Sequence, residues 1–347
     1  MIEAPPGEPA PPTLGLVVVE PEDDGARADV VLGRRVPGLS RRVARQRGLA
    51  GALSIDGRRA APSARVSVGT RIELRLAEVG HEPPPPIVVL AVTDDFVYVD
   101  KPPGIHTQRL RHDDPATLAD AVAAVHPECA TAGPSPSEGG AVHRLDRETS
   151  GVVCFARNRD AWERAREAFS SGSVHKTYLA AVAQALPLAA PLVSAGSVRR
   201  LGPGGPTLDG ITPGCPGPTG LCFDAPLGPQ SGAAGTRRVQ LSPQGRDAIS
   251  DVWPVLQPEA ADTTALATRE TGLAHPCVVL VLRTGHRHQA RVHLAAVGCA
   301  IVGDPLYGPE GSAPQMLLHA GALHLGPALP QESRVVSVLP SRFSRRA

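Results

Sequence analysis

At 347 residues the chain is long enough for one large domain and a small one, and 35 Lys and Arg against 34 Asp and Glu leave a net charge of +1. Bulk charge therefore does not point to nucleic acid. No run of about 18 apolar residues exists to span a bilayer, and Met1–Thr13, Pro-rich and containing Glu, does not resemble a signal peptide. The six Cys form no C-x-x-C pair, so reduced thiols in a soluble, cytoplasmic protein are expected, and the protein is expected to be a monomer.

The elements are read in chain order. Residues 1–15 are Pro-rich and are expected to form a disordered tail. Residues 16–80 read as a small α+β module. Ser40 caps a short helix, Arg41 to Arg47, that Gly48 ends. Asp56-Gly57 is a hairpin turn signal, and Ile72, Leu74 and Leu76 alternate with charged residues as in a half-buried strand. Between Ala26 and Leu76 there are twelve Arg and three acids, a local excess of nine positive charges. A module with that excess is the electrostatic footprint of phosphate binding. Arg usage is general, since Lys occurs only at 101 and 176, but that bias does not explain the shortage of acids here.

Residues 81–86, HEPPPP, read as a stiff extended linker. Strand-like runs follow at 87–92 and 96–99, then a helix capped by Thr117 and a β-rich run at 151–155. Asp160 is read as the cap of a helix with the stripe Trp162, Ala165 and Phe169. Pro and Gly crowd residues 187–220, which read as a loop insertion. A strand over 277–282, a helix from about Arg287 to Val297, a strand near 316–325 and a basic tail at 331–347 complete the order. The mixture predicts an α+β fold with a mainly antiparallel mixed sheet, over residues 87–330.

The stretch most informative about chemistry is His143-Arg144-Leu145-Asp146-Arg147-Glu148-Thr149-Ser150-Gly151. In extended backbone Arg144 and Asp146 share a face while Leu145 packs inward. Neighbouring His143, Arg144 and Arg147 favour the charged form of a carboxylate, which suits it to act as nucleophile or charge stabiliser. Spacing alone favours Asp146 as an Arg-paired turn residue closing the chain before Gly151.

The nonapeptide resembles the signature of the RluA-type pseudouridine synthases, HRLDxxTSG, at every specified position. Val99–Gly104 resembles that family's first motif, Lys176-Thr-Tyr178 its K-x-Y segment, and Thr284–Leu294 its third motif. Gly298–Gly308 and Leu318-His-Ala320 continue the order. The stretches VPGLSRRVARQRGLAGALSIDGRRA and SVGTRIEL resemble the alpha-L RNA-binding domain of ribosomal proteins and RNA-modifying enzymes, with Arg27-Ala28-Asp29 in place of the usual Arg-Leu-Asp.

The resemblance implies a pseudouridine synthase catalytic fold behind a small RNA-binding domain. It implies that Asp146 attacks a flipped uridine, Tyr178 packs on the base and handles protons, Arg291 pairs with Asp146, and Arg144 fills the gap left by the base. RNA contacts are further expected from His143, Arg147, Lys101, Arg287, Gln289 and Leu318, and from Arg41, Arg42 and Arg45. The isomerisation has no redox or net hydrolytic step, so no cofactor or metal is expected. Large-subunit ribosomal RNA is the favoured partner and transfer RNA the alternative. A rival reading is a catalytically silent RNA-binding or ribosome-assembly factor, against which Asp146, Tyr178 and Arg291 are all present. The third motif departs from the family at His286-Arg287, where Arg then Thr or Ser is usual. Placed on one helix, Arg287 would share a face with Arg291 and keep positive charge near the site. His286, His288 and His293 lack the spacing of a helical metal pair, and Trp162 and Trp253 read as core or rim rather than base-stacking platforms.

Overall fold

A computed structural model describes residues 13–49, 52–75, 86–109, 116–134, 138–189, 193–212, 215–230, 238–256, 273–327, 329, 332 and 334–344. The chain divides into two compact units, residues 1–84 with 109–116, and residues 85–108 with 117–347.

In the first unit, strands β1 (Thr13–Val18), β2 (Leu53–Ile55), β3 (Arg58–Arg59) and β4 (Arg71–Arg75) form an antiparallel sheet in the order β1-β4-β2-β3. Helices α1 (Ala28–Arg35) and α2 (Arg41–Leu49) pack on one another. Strand β1 begins at Thr13, inside the stretch expected to be tail. The Ser40 hydroxyl caps α2 by accepting from Val43 N at 3.3 Å. Asp56 and Gly57 both adopt positive φ, 47° and 77°, which gives the β2–β3 turn the twist that suits a hairpin. Ile72 and Leu74 are fully buried with Val31, Leu32 and Leu53, as the alternation in β4 requires. Asp29 is fully buried, and Arg27 holds it through Nε at 3.0 Å and Nη2 at 2.9 Å. The linker read at 81–86 lies almost wholly outside the described residues.

The second unit contains β5 (Val88–Val92), β6 (Phe96–Lys101), α3 (Leu118–Val125), α4 (Cys129–Ala132), β7 (Ser150–Ala156), α5 (Arg159–Ser170) and β8 (His175–Ala181). It continues with β9 (Ser197–Leu201), β10 (Cys215–Pro216), β11 (Gly220–Asp224), β12 (Leu227–Pro229), β13 (Val239–Leu241), β14 (Ile249–Leu256), β15 (Cys277–Leu282), α6 (Gln289–Ala296), β16 (Leu318–His324) and β17 (Val335–Val336). One large sheet runs β5-β6-β7-β16-β8-β15-β14-β11-β9, with β10 on β14 and β17 on β16. Only the β7–β16 pair is parallel among the described strands. The fold is α+β with a mixed, mainly antiparallel sheet.

Three expectations are corrected here. Residues 187–220 are not simply a loop: Ser197–Leu201 is the edge strand β9, and Leu208 and Ile211 are buried against Leu179, Trp253 and Phe343. Within the segment read as a basic tail at 331–347, Val335–Val336 pairs with β16, Phe343 is fully buried and Arg342 Nη2 donates to Ser150 Oγ. Helix α5 is capped by Asn158, whose Oδ1 accepts from Ala161 N at 2.8 Å, and not by Asp160, which lies in the first turn.

The start of β7 explains one signature residue. Gly151 has φ 117°, and a Cβ there would collide with the Ala320 carbonyl where β7 and β16 pair. Any other side chain at this position would open the sheet beside Asp146.

Candidate active site

Asp146 lies on an irregular segment just ahead of β7, and its backbone is fastened to the loop that follows β6. The Thr107 hydroxyl donates to Leu145 O at 3.2 Å and accepts from Leu145 N at 3.1 Å. Gly104 N donates to Arg147 O at 2.8 Å, and Arg147 Nε returns a bond to Gly104 O at 2.8 Å. Lys101, fully buried, donates from Nζ to Pro102 O and Arg147 O, both at 2.9 Å. Leu145 is buried, Arg144 is exposed and Asp146 is half-buried, and all three line a cavity of about 470 Å³.

Helix α6 carries the opposing wall. Gln289 and His293 tie it to β14: Gln289 Nε2 donates to Ile249 O at 3.0 Å and Ser250 Oγ at 2.9 Å, and His293 Nδ1 lies 2.9 Å from the same hydroxyl. Gln289 Oε1 accepts from Thr284 Oγ1 and His286 N at 2.8 and 3.1 Å. With that anchoring Arg291, 4% exposed, reaches Asp146 Oδ2 with Nη1 at 3.3 Å. Its Nε and Nη2 are held by both oxygens of Asp304 at 2.8 and 2.7 Å. The Arg291 guanidinium also lies 5.2 Å from the ring centroid of Tyr307. A fork-on-fork carboxylate pair fixes a guanidinium in both position and plane, so Asp304 aims Arg291 and leaves Nη1 for Asp146.

Tyr178 sits in the centre of the sheet, opposite Leu280 on β15 and Ala320 on β16. It is 8% exposed, and burial, reinforced by the Asp146 charge, raises its hydroxyl above the ordinary phenol value, so the hydroxyl stays protonated. Leu318, 4% exposed, adds an apolar surface at the start of β16. His288, in left-handed backbone at φ 59°, places Nε2 3.9 Å from Asp146 and Nδ1 3.0 Å from Tyr307 Oη. Burial holds its imidazole below the ordinary range and therefore neutral near pH 7.

Several residues read as RNA contacts are engaged with protein partners or face solvent, although His143 and Gln289 line the cavity. His143 is not a charged neighbour of Asp146. Burial pushes it down to about 3, its Nε2 accepts from Cys154 N at 3.1 Å, and it stacks on Phe169 at 4.9 Å. Gln289 spends its whole amide on protein partners. Arg287 precedes α6 instead of lying on it, because His288 in left-handed backbone starts the helix, so Arg287 is exposed and does not share a helical face with Arg291. Lys101 supports the Asp146 segment from beneath. Arg147 is 59% exposed along its side chain and bonds the loop after β6. His286 gives Nε2 to Asp247 O at 2.8 Å.

Asp304, His288, Tyr307 and Lys176 lie within the motif stretches, but their sequence context alone assigns them no role in the site. The available signal was Asp304 in the apolar run Ile301-Val302-Gly303-Asp304-Pro305, since a carboxylate there needs a cationic partner. Among the described residues no group of three His, Cys, Asp or Glu could hold a metal ion. No described helix is long and apolar enough to cross a membrane.

Buried Lys101 makes the stability of this unit depend on pH. Burial pushes Lys101 down to about 7, although Glu148 and Asp146 pull it back up. Between pH 7 and the ordinary amine value the unfolded chain binds a proton that the folded chain has lost, so stability rises with pH across that window. Urea midpoints are expected to rise between pH 7 and 9, by roughly 2 kcal/mol in stability. Lys101→Met should flatten that rise; an equal rise in the variant would remove Lys101 as its source.

The cavity wall thus joins a carboxylate, a buried guanidinium that contacts it, a protonated phenol and a Leu. A family model described as RNA pseudouridylate synthase matches residues 95–296, more than half of the chain. The chain belongs to that family, in its RluA-type branch, and is an RNA pseudouridine synthase, an isomerase. Ribosomal large subunit pseudouridine synthase D of Xanthomonas campestris pv. campestris is 28% identical over 97% of this chain and 93% of that protein. The protein of the same name from Xylella fastidiosa is 27% identical over 91% and 86%. An uncharacterized RNA pseudouridine synthase of Chloroflexus aurantiacus is 28% identical over 89% and 85%.

Proposed function

We propose that this enzyme isomerises uridine in large-subunit ribosomal RNA, with Asp146 as the nucleophile. The observation that carries the reading is the Arg291 contact at 3.3 Å, which joins the one carboxylate of the HRLD segment to a guanidinium already fixed by Asp304.

A base stacked in a helix is out of reach, so it must be extruded at a cost of a few kcal/mol. Arg144, exposed at the cavity wall, is suited to occupy the vacated space and stack there. The extruded uracil lies between Tyr178 and Leu318. Asp146 forms a covalent bond to the substrate, the glycosidic bond from carbon 1′ to N1 breaks, and the base turns. Carbon 5 then bonds to carbon 1′, Asp146 is released, and the proton on carbon 5 is lost while N1 gains one. In this reading the protonated Tyr178 hydroxyl takes part in that proton exchange.

The first unit supplies RNA affinity in this reading. Arg41, Arg42 and Arg45 are exposed on α2, and Arg58, Arg59 and Arg71 are exposed on β3 and β4. Such a basic surface binds phosphate without regard to sequence. The ribosomal target is supported by the names of the Xanthomonas and Xylella relatives.

The test is tritium release from RNA labelled at uracil carbon 5, comparing large-subunit ribosomal RNA with transfer RNA. Release from the ribosomal RNA is expected. Release from transfer RNA alone would overturn the target, and release from neither would overturn the reading.

A further inference from the structure

The cavity has a second end that the proposed chemistry does not use. Lys176 shares a face of β8 with Tyr178, two residues and therefore about 6.7 Å further along the strand. Beyond it the wall is made by α5, through Arg166, Phe169 and Trp162. Asp146 acts on Tyr178, and burial moves Lys176 down to about 8.

The charges at this end are unbalanced. Other cations nearby have carboxylate partners: Arg159 pairs with Glu163 at 2.7 Å, Arg283 with Asp251 at 2.6 Å, and Arg291 with Asp304 at 2.7 Å. Arg144, Arg166 and Lys176 have none among the described residues. Arg166 Nη1 bonds only the Val142 carbonyl, at 3.1 Å, and Lys176 Nζ only the Thr284 carbonyl, at 3.2 Å. Glu138 is the one acid on this part of the wall. The cations are also backed by rings. The Arg166 guanidinium lies 5.7 Å from the Trp162 centroid, and Lys176 Nζ lies 5.9 Å from that of Phe169, whose ring also stacks on His143. Trp162 is itself fixed, since Nε1 donates to Ala141 O at 3.2 Å.

A flipped uridine stays tethered to its strand, so a neighbouring phosphate and base must lie at the cavity mouth. Unpaired cations against aromatic rings are what single-stranded nucleic acid binds: the cations take the backbone, and bases stack on rings and guanidinium planes. We propose that Lys176 and Arg166, with Arg144, hold the nucleotide adjoining the target uridine, its phosphate on the two side-chain cations and its base on the guanidinium that covers Trp162. The inference rests on the reading of this cavity as the uridine site. It makes α5 a determinant of strand placement and gives Trp162 a part in binding, as the support of Arg166.

The experiment measures binding of a short single-stranded oligouridylate to the full chain as a function of salt, for wild type, Arg166→Gln, Lys176→Met and the double variant. A single strand gives a slope of about −0.7 in log affinity against log salt for each phosphate neutralised. Both cations share one phosphate, so the double variant should flatten the slope by about 0.7 and each single variant by part of that. Arg166→Lys should restore it. The RNA concentration for half-maximal tritium release should rise severalfold in the single variants, with the effect on KM rather than on kcat. Arg166 is exposed, so its variants keep the wild-type melting temperature. Slopes equal to wild type in both single variants would overturn the track. Absence of tritium release from wild-type enzyme would instead overturn the proposed reaction, and the slopes would still decide whether this wall binds RNA.

Discussion

Asp304→Asn is expected to lower stability by about 3–5 kcal/mol and turnover by about 100-fold. Asp304 is fully buried along its side chain and Arg291 is 4% exposed, so the pair is out of water on both sides. Its two oxygens take Nε and Nη2 of Arg291, and Oδ1 also accepts from Leu306 N at 2.8 Å and Tyr307 N at 3.1 Å. The amide keeps the shape but loses the charge and turns an N–H toward a guanidinium that has only donors. Arg291 is then a buried cation with Asp146 as its one carboxylate, and it moves toward that group. A guanidinium displaced by an ångström misplaces the nucleophile it orients, which is the source of the loss in turnover. The control is the apolar pair Arg291→Met with Asp304→Leu, which should be more stable than Asp304→Asn alone because no charge is left unpaired. Melting by calorimetry and tritium release check both quantities. An Asp304→Asn enzyme that melts and turns over like wild type would contradict the role given to this carboxylate.

Much of the fold was legible because the patterns were local. Alternation marked β4, the Asp56-Gly57 pair marked a hairpin, and Thr117 with Asp120 forms a complete capping box at α3, with Oγ1 accepting from Asp120 N at 3.4 Å. Strand β9 was missed because Pro and Gly on either side drown a five-residue signal, and its pairing with β11 is a long-range fact. The C-terminal segment was missed for a similar reason: Ser341–Phe343 looks basic and short, yet the Phe343 ring is buried and Arg342 reaches Ser150 across the sequence.

The site divides in the same way. Asp146, Tyr178 and Arg291 were named from motif order, and the cavity brings all three together. Asp304 stood in plain view, but a buried carboxylate betrays its partner only when the fold is known. The opposite error occurred at His143, where adjacency in sequence suggested a charged neighbour for Asp146. Its ring in fact lies against Phe169 and bonds a backbone N–H of β7, and an imidazole so enclosed stays neutral. Arg287 failed because one residue, His288 in left-handed backbone, delays the helix and turns Arg287 out to solvent.

Replacing Asp146 by Asn should have the largest effect on catalysis, a loss on the order of 10⁴-fold or more, because no other group takes over a missing nucleophile. Stability should change little. Asp146 is 25% exposed along its side chain, and Arg291 keeps its two bonds to Asp304 when the charge is removed. Loss of activity in a folded, RNA-binding variant therefore isolates the chemistry. The decisive measurement is single-turnover tritium release with enzyme in excess over large-subunit ribosomal RNA labelled at uracil carbon 5. Wild type should release tritium, and Asp146→Asn should bind the same RNA yet release none above background. Release by Asp146→Asn at the wild-type rate would contradict the assignment of this carboxylate as the nucleophile.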